Sequence, residues 1–237
     1  MTRLSAVATS YSVSLLNRSK LTPVTSAELT EYCYYLLHVL NDLASLATKG
    51  KYFEMSRDWT GTDEEIQFVH NSYAWELLVR IWDYAENGIS AHNFMPAAIT
   101  DDFEHFFKLT SACEGVLYHD GSFSHESTEI MITPIKLALK YFARLKLDTE
   151  WDLDHEVGPC LSLYPSVHET HLTSVEYALL AGLSHIGAVR NETCKKENPL
   201  LTEKNGNNII ITIEESRKKL KNKRKFVPTP GVNYGYA

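Results

Sequence analysis

The sequence is poor in cysteine, and its four thiols, Cys33, Cys113, Cys160 and Cys194, never form a C-x-x-C pair. That spacing fits reduced, mostly buried thiols better than a disulfide framework or a zinc site. Long hydrophobic runs are missing as well, since nothing approaches the ~18–20 apolar residues that cross a bilayer. The opening MTRLSAVATSYSVSLLNRSK has an early Arg3 but no continuous apolar stretch, so no signal peptide and a soluble, cytoplasmic protein are expected. There is no G-x-S-x-G elbow, no Walker loop and no G-x-G-x-x-G, and no catalytic constellation is legible. An enzyme is therefore not expected.

The ten histidines do not change this. Their local clusters are His119-Asp120 with His125-Glu126, and His155-Glu156 with His168-Glu169-Thr170-His171. Neither has the H-E-x-x-H spacing that sets two imidazoles on one helical face. They read as exposed or capping residues, and neither metal nor cofactor is expected.

What is present is an ordinary globular composition, 44% hydrophobic and 22% charged over 237 residues, enough for one sizeable core or two small ones. The net charge of −7 is unevenly spread. Residues 171–237 carry 11 Lys+Arg against 6 Asp+Glu, a net of +5, and the remainder carries 12 against 24, a net of −12. An acidic body with a basic C-terminal part suggests that the latter meets a polyanion.

Residues 1–24, rich in Ser and Thr, read as an N-terminal arm. Four amphipathic helices follow and make an α-helical, bundle-like domain over 25–148. The first is capped by Thr25 with Glu28 and carries Leu29, Tyr32, Cys33, Leu36, Leu37, Leu40, Leu43 and Leu46 to Lys49-Gly50. The tyrosines beside Cys33 read as core or dimer contacts rather than a base-stacking platform. The second helix is capped by Thr62 with Glu65 and is expected to run unbroken to Asn87-Gly88 through Ile66, Val69, Tyr73, Leu77, Leu78, Ile81, Trp82 and Ala85. A third follows Thr100-Asp101-Asp102, with the acids at its positive end, and carries Phe103, Phe106, Phe107, Leu109, Cys113 and Leu117 to Asp120-Gly121. A fourth runs from about Pro134 to Leu145. Residues 149–171 read as a linker with a short strand near Leu161–Tyr164.

The stretch Leu172–Glu192 reads as two short helices around a tight turn. Thr173 and Glu176 form a capping box, Gly182 supplies the positive φ that closes the first helix, and Ser184 is placed to cap the second. Val175, Ala178, Leu179 and Leu183 share one face; Ile186 and Val189 point to the core. Leu200–Lys204, Asn205-Gly206-Asn207-Asn208 and Ile209–Ile213 then form a β-hairpin around an Asn-Gly turn. Glu214-Glu215-Ser216 opens a basic helix through Lys225, and 227–237 reads as a tail docked through Tyr234 and Tyr236.

In Ala178, Gly182, Ser184 and Val189 this stretch resembles the bacterial helix-turn-helix, although Gly182 to Val189 is one residue longer than the usual interval of six. With the hairpin and closing helix, residues 172–226 resemble the winged helix-turn-helix of excisionase and MerR-like proteins. The resemblance covers the last quarter to third of the chain. It implies a mainly α protein that binds double-stranded DNA as a transcriptional regulator, occupying an operator as a homodimer with no membrane partner. The second helix of such a domain enters the major groove. His185, Arg190 and Asn191 are then the candidate base readers, with Arg190 suited to guanine and Asn191 to adenine. Ser184, Lys195, Lys196, the wing residues Lys204, Asn205 and Asn207, and Lys223 and Arg224 of the basic run suit phosphates. Cys194, beside Lys195 and Lys196, reads as an unreactive thiol in preference to a redox sensor. An excisionase-like DNA-bending protein, and a helical interaction factor of defence or toxin-neutralising type, stay open as alternatives, as does an unidentified ligand or protein partner of the helical domain.

Overall fold

Four threonines start four helices in the same way, each hydroxyl accepting the backbone N–H three residues on. Thr25 accepts from Glu28 (3.2 Å), Thr62 from Glu65 (3.3 Å), Thr173 from Glu176 (3.3 Å) and Thr212 from Glu215 (3.2 Å). In the first three the glutamate returns a carboxylate oxygen to the threonine N–H, completing the box. At Thr212 the Glu215 carboxylate instead takes the Leu201 N–H at 3.1 Å, tying this last helix to the chain ahead of the hairpin.

A computed structural model describes residues 16, 19–48, 56, 58–92, 95–119, 125–149, 171–205 and 208–234. They form a mainly helical fold with one small antiparallel sheet. The helices are α1 (Ser26–Thr48), α2 (Asp63–His70), α3 (Tyr73–Trp82), α4 (Pro96–His119), α5 (His125–Asp148), α6 (Ser174–Leu180), α7 (Gly187–Thr193) and α8 (Ile213–Leu220). A π-helical segment, Asp83–Asn87, extends α3. The strands are β1 (His171–Thr173), β2 (Glu203–Asn205) and β3 (Asn208–Thr212), in the order β1–β3–β2. No described helix is long and apolar enough to cross a membrane. The expected strand near Leu161–Tyr164, and Cys160, His155 and His168, lie outside the described residues, as do Lys49-Gly50, Asp120-Gly121 and Tyr236.

Several expected boundaries are corrected. The second helix is broken at Asn71-Ser72, where Ser72 turns extended and its hydroxyl recaps α3 by accepting the Trp75 N–H at 3.1 Å. The new start rotates Tyr73 out of the core to 56% exposure. The third helix begins ahead of Thr100-Asp101-Asp102, at Pro96, a residue whose missing N–H fits a first turn. Asp102 thus lies inside α4, where it serves an ion pair instead of the helix start: Arg80 binds it through Nε at 2.9 Å and Nη2 at 2.8 Å, and His92 Nε2 lies 2.8 Å away. The fourth helix begins at His125, with Pro134 in its interior. On α1, Leu29, Tyr32, Cys33 and Leu36 are buried as expected, whereas Leu46 is 81% exposed.

Helix α5 packs against α1, α3, the π segment, α4, α6, α8 and β1, which makes it the centre of the molecule. Its apolar side stacks Phe142 on Phe103 (centroids 4.5 Å apart), with Tyr141 edge-on to the same ring at 4.4 Å. Burying each such ring contributes ~1.5–3 kcal/mol. The opposite side carries Lys136, Lys140, Arg144 and Lys146, all buried. Lys140 binds Glu86 of the π segment. Burial lowers the pKa of both Lys136 and Lys140. Arg144 donates to the Ala85 carbonyl, to Val227 O (2.7 Å) and to Thr229 Oγ1 (3.0 Å). Lys146 donates to Glu176 at 2.6 Å, where both side chains are 0% exposed.

These bonds tie the helical layer to the C-terminal part, and one continuous apolar core runs from Leu16 to Tyr234. The end of α5 is held twice more. Arg217 of α8 donates to the Leu147 carbonyl at 2.8 Å through Nε. Asp148 accepts from Tyr84 OH (2.9 Å), Thr229 Oγ1 (2.5 Å) and Tyr234 OH. Tyr234 is 1% exposed, so the tail docks through it as expected. Cys33 and Cys113 are buried, and burial pushes the Cys33 thiol up to about 12.

Candidate nucleic-acid interface

The Thr173 capping box fixes where α6 begins, and Gly182 (φ +62°) fixes where it ends. A β-carbon at Gly182 would lie 2.6 Å from the Lys225 side chain, which crosses the turn and donates to the Gly182 carbonyl at 3.3 Å. Helix α6 is buried over Glu176–Leu180, more completely than the single apolar face expected from its sequence. Tyr177, inside it, has a hydroxyl with no partner and is pushed up by burial.

Ser184 does not cap α7. The helix starts at Gly187 after Ile186, without a side-chain cap. The Ser184 hydroxyl instead lies 2.9 Å from His185 Nδ1, and its carbonyl accepts the Leu21 N–H at 2.9 Å. The first turn of α7 closes tightly, Ala188 N–H on His185 O (3.1 Å) and Val189 N–H on Ile186 O (2.9 Å). Val189 is 2% exposed and Ile186 packs against the core, as expected.

His185, Arg190 and Asn191 are all exposed, but they are not equivalent. Arg190 and Asn191 stand on α7 itself. His185 precedes it, and its ring lies 3.3 Å from where a Gly187 β-carbon would be. Lys196, Lys204 and Arg224 are exposed. Lys195 and Lys223 both donate to Glu192, at 3.0 and 2.6 Å. Burial acts to raise the Glu192 carboxyl, but Lys223 and Lys195 outweigh it and hold the pKa below the ordinary value. Their charges are therefore offset within the protein. The side chain of Asn205 and all of Asn207 lie outside the described residues.

The basic run 217–225 divides in the same way. It does not form one helix to Lys225, since α8 stops at Leu220. Arg217 holds Leu147, Lys219 donates to the Asn198 carbonyl at 2.8 Å, Lys223 holds Glu192 and Lys225 holds Gly182. Lys218, Lys221 and Arg224 face solvent. Glu192 was missed by sequence reasoning. Its bond to Lys195 has a helical i, i+3 signal, but the one to Lys223 spans 31 positions and has none.

The hairpin pairs Asn205 with Asn208, and Glu203 with Ile210. The added strand β1 pairs with β3, Leu172 opposite Ile211. Among the described residues no group of three or more His, Cys, Asp and Glu could hold a metal ion. Cys194 is an exposed free thiol. No protein-family model, no curated protein and no solved structure matches this chain.

Proposed function

We propose that the chain is a sequence-specific DNA-binding regulator that occupies its operator as a homodimer, with residues 172–226 as a winged helix-turn-helix and 25–148 as the dimerisation or sensing part. What carries the reading is one arrangement: helix α5, strand β1, helix α6, a Gly182 turn, helix α7, then hairpin β2–β3, with the sheet ordered β1–β3–β2. On α7 the apolar Val189 faces in while Arg190 and Asn191 face out, leaving a donor-rich surface on the element that would lie in a major groove. Lys196, Lys204, Lys218, Lys221 and Arg224 are the exposed cations for phosphates. A dimer is proposed because a recognition helix of seven residues presents few base contacts, and paired half-sites multiply them.

The test is fluorescence anisotropy of the protein on duplex from its own upstream region and on scrambled duplex, across a salt series. Preference for the native duplex that persists at ~150 mM salt supports the regulator. Arg190→Ala should remove ~1–3 kcal/mol of that preference. Arg224→Ala should weaken both duplexes alike and shrink the salt slope by ~0.9. Equal protection of a long stretch with altered gel mobility would favour a DNA-bending protein instead. No binding to either duplex at low salt would defeat the proposal.

A further inference from the structure

The extended segment ahead of α1 has no secondary structure, yet Leu21 and Val24 are 1% and 3% exposed. Buried backbone of this kind must find hydrogen-bond partners elsewhere. Here they come from two sides. Val24 N–H donates to Glu86 Oε1 (3.1 Å) and Val24 O accepts from Trp82 Nε1 (2.7 Å), both at the end of α3 and its π extension. Thr22 O accepts from Lys136 Nζ of α5 at 3.3 Å. Leu21 N–H, at the other end, donates to Ser184 O in the turn between α6 and α7.

We propose that residues 21–24 are a strap through which the helical layer sets the position of α7. Ser184 O is the carbonyl one residue before the pair that closes the first turn of α7, and it is held by the strap instead of by the helix. Because α1 starts only two residues beyond Val24, a shift of α1, Trp82 or Lys136 pulls on that carbonyl directly. Lys225, from beyond α8, holds the same turn at the Gly182 carbonyl. A ligand or partner that moves the helical layer would thereby regulate α7. That consequence for DNA rests on the reading above, whereas the mechanical coupling does not.

Amide hydrogen exchange on the full chain tests it, read at Ala188 and Val189. Trp82→Phe keeps an aromatic ring and removes the donor to Val24 O. Lys136→Met removes the donor to Thr22 O while relieving a buried ammonium, so it cannot act by weakening the fold through an unpaired charge. Both should speed exchange at Ala188 and Val189, roughly fivefold for the loss of one ordinary hydrogen bond, and leave α2 unchanged. Faster exchange confined to residues 21–28, with Ala188 and Val189 unaffected in both variants, would overturn the strap. If those amides respond and wild-type protein binds no duplex, the strap stands and the DNA-binding reading falls.

Discussion

Replacing Glu176 by Gln should be among the most destabilising single changes available to this chain that leave side-chain volume almost unaltered. Lys146 Nζ and Glu176 Oε1 lie 2.6 Å apart with both side chains 0% exposed. Each group has one further bond: Lys146 donates to His171 O at 3.3 Å, and Glu176 Oε2 accepts the Thr173 N–H at 2.7 Å. At that separation and an effective dielectric constant of 20, the gross attraction is about 6 kcal/mol. Desolvation of both ions offsets much of it, so the pair's net worth is small. Removing one charge, however, leaves the other buried and uncompensated, which costs ~3–5 kcal/mol. For a chain of this size that lowers Tm by about 6–20 °C. The amide of Glu176→Gln still caps α6, so the loss reports the charge and not the cap. Lys146→Met should cost a similar amount, and the double variant should recover most of the loss, because it has no orphaned ion. Urea denaturation followed by circular dichroism, run as a double-mutant cycle, measures this. A Glu176→Gln variant within about 1 kcal/mol of wild type, or strictly additive single losses, would refute the reasoning.

Three more outcomes are expected. Gly182→Ala combines a left-handed backbone with a contact at 2.6 Å to Lys225, whereas Gly231→Ala, at φ +82°, meets nothing within 4 Å. The first should therefore lower Tm clearly more than the second, whose penalty is only the ~1–2 kcal/mol of the αL conformation. Lys136→Met should flatten part of the pH dependence of stability. Burial depresses the lysine pKa below 10.5, so the folded wild type binds fewer protons than the unfolded chain between that depressed value and 10.5, and its stability rises with pH across that window. The variant's advantage over wild type, measured by urea titration at several pH values, should be full below the window and vanish toward its top. Glu192→Gln removes a carboxylate held below its ordinary pKa, so wild-type stability contributed by its two lysines should be lost as pH falls through that lowered pKa, and the variant should lack this acid-dependent component in the same titrations.

What was legible in the sequence was what is decided within a few residues. The Thr-x-x-Glu boxes at Thr25, Thr62 and Thr173 place three helix starts correctly, because hydroxyl, carboxylate and N–H groups all lie inside one turn. Gly182 and the Asn-Gly hairpin are local in the same sense. The break at Ser72 was hidden because the apolar period continues across it from Val69 to Leu77, and a single hydroxyl decides the matter. Strand β1 was missed because three residues carry no periodicity and its partner Thr212 lies far along the chain. The exposure of Arg190 and Asn191 was legible for the same reason, since it follows directly from Val189 being the inward residue of a short helix.

The buried cations of α5 show why composition misleads here. Lys136, Lys140, Arg144 and Lys146 would ordinarily mark the solvent face of an amphipathic helix, and that reading puts α5 at the surface. Their partners are Thr22, Ala85, Glu86, His171, Glu176, Val227 and Thr229, between 25 and 114 positions away, so nothing in the local pattern reveals them. The same long reach gives these side chains their consequence. Hydrophobic contacts along a core tolerate sliding, but a buried ammonium or guanidinium tolerates little, because any displacement leaves a charge without its acceptor. Helix α5 therefore fixes the strap at Thr22, the π segment at Glu86, the tail at Val227 and Thr229, and α6 at Glu176 in one mutual register. A protein whose helical layer and C-terminal part merely touched would let the two move apart. This one holds them through charges, so a displacement in the helical layer must be carried to the turn ahead of α7 or be opposed by an ion left unpaired.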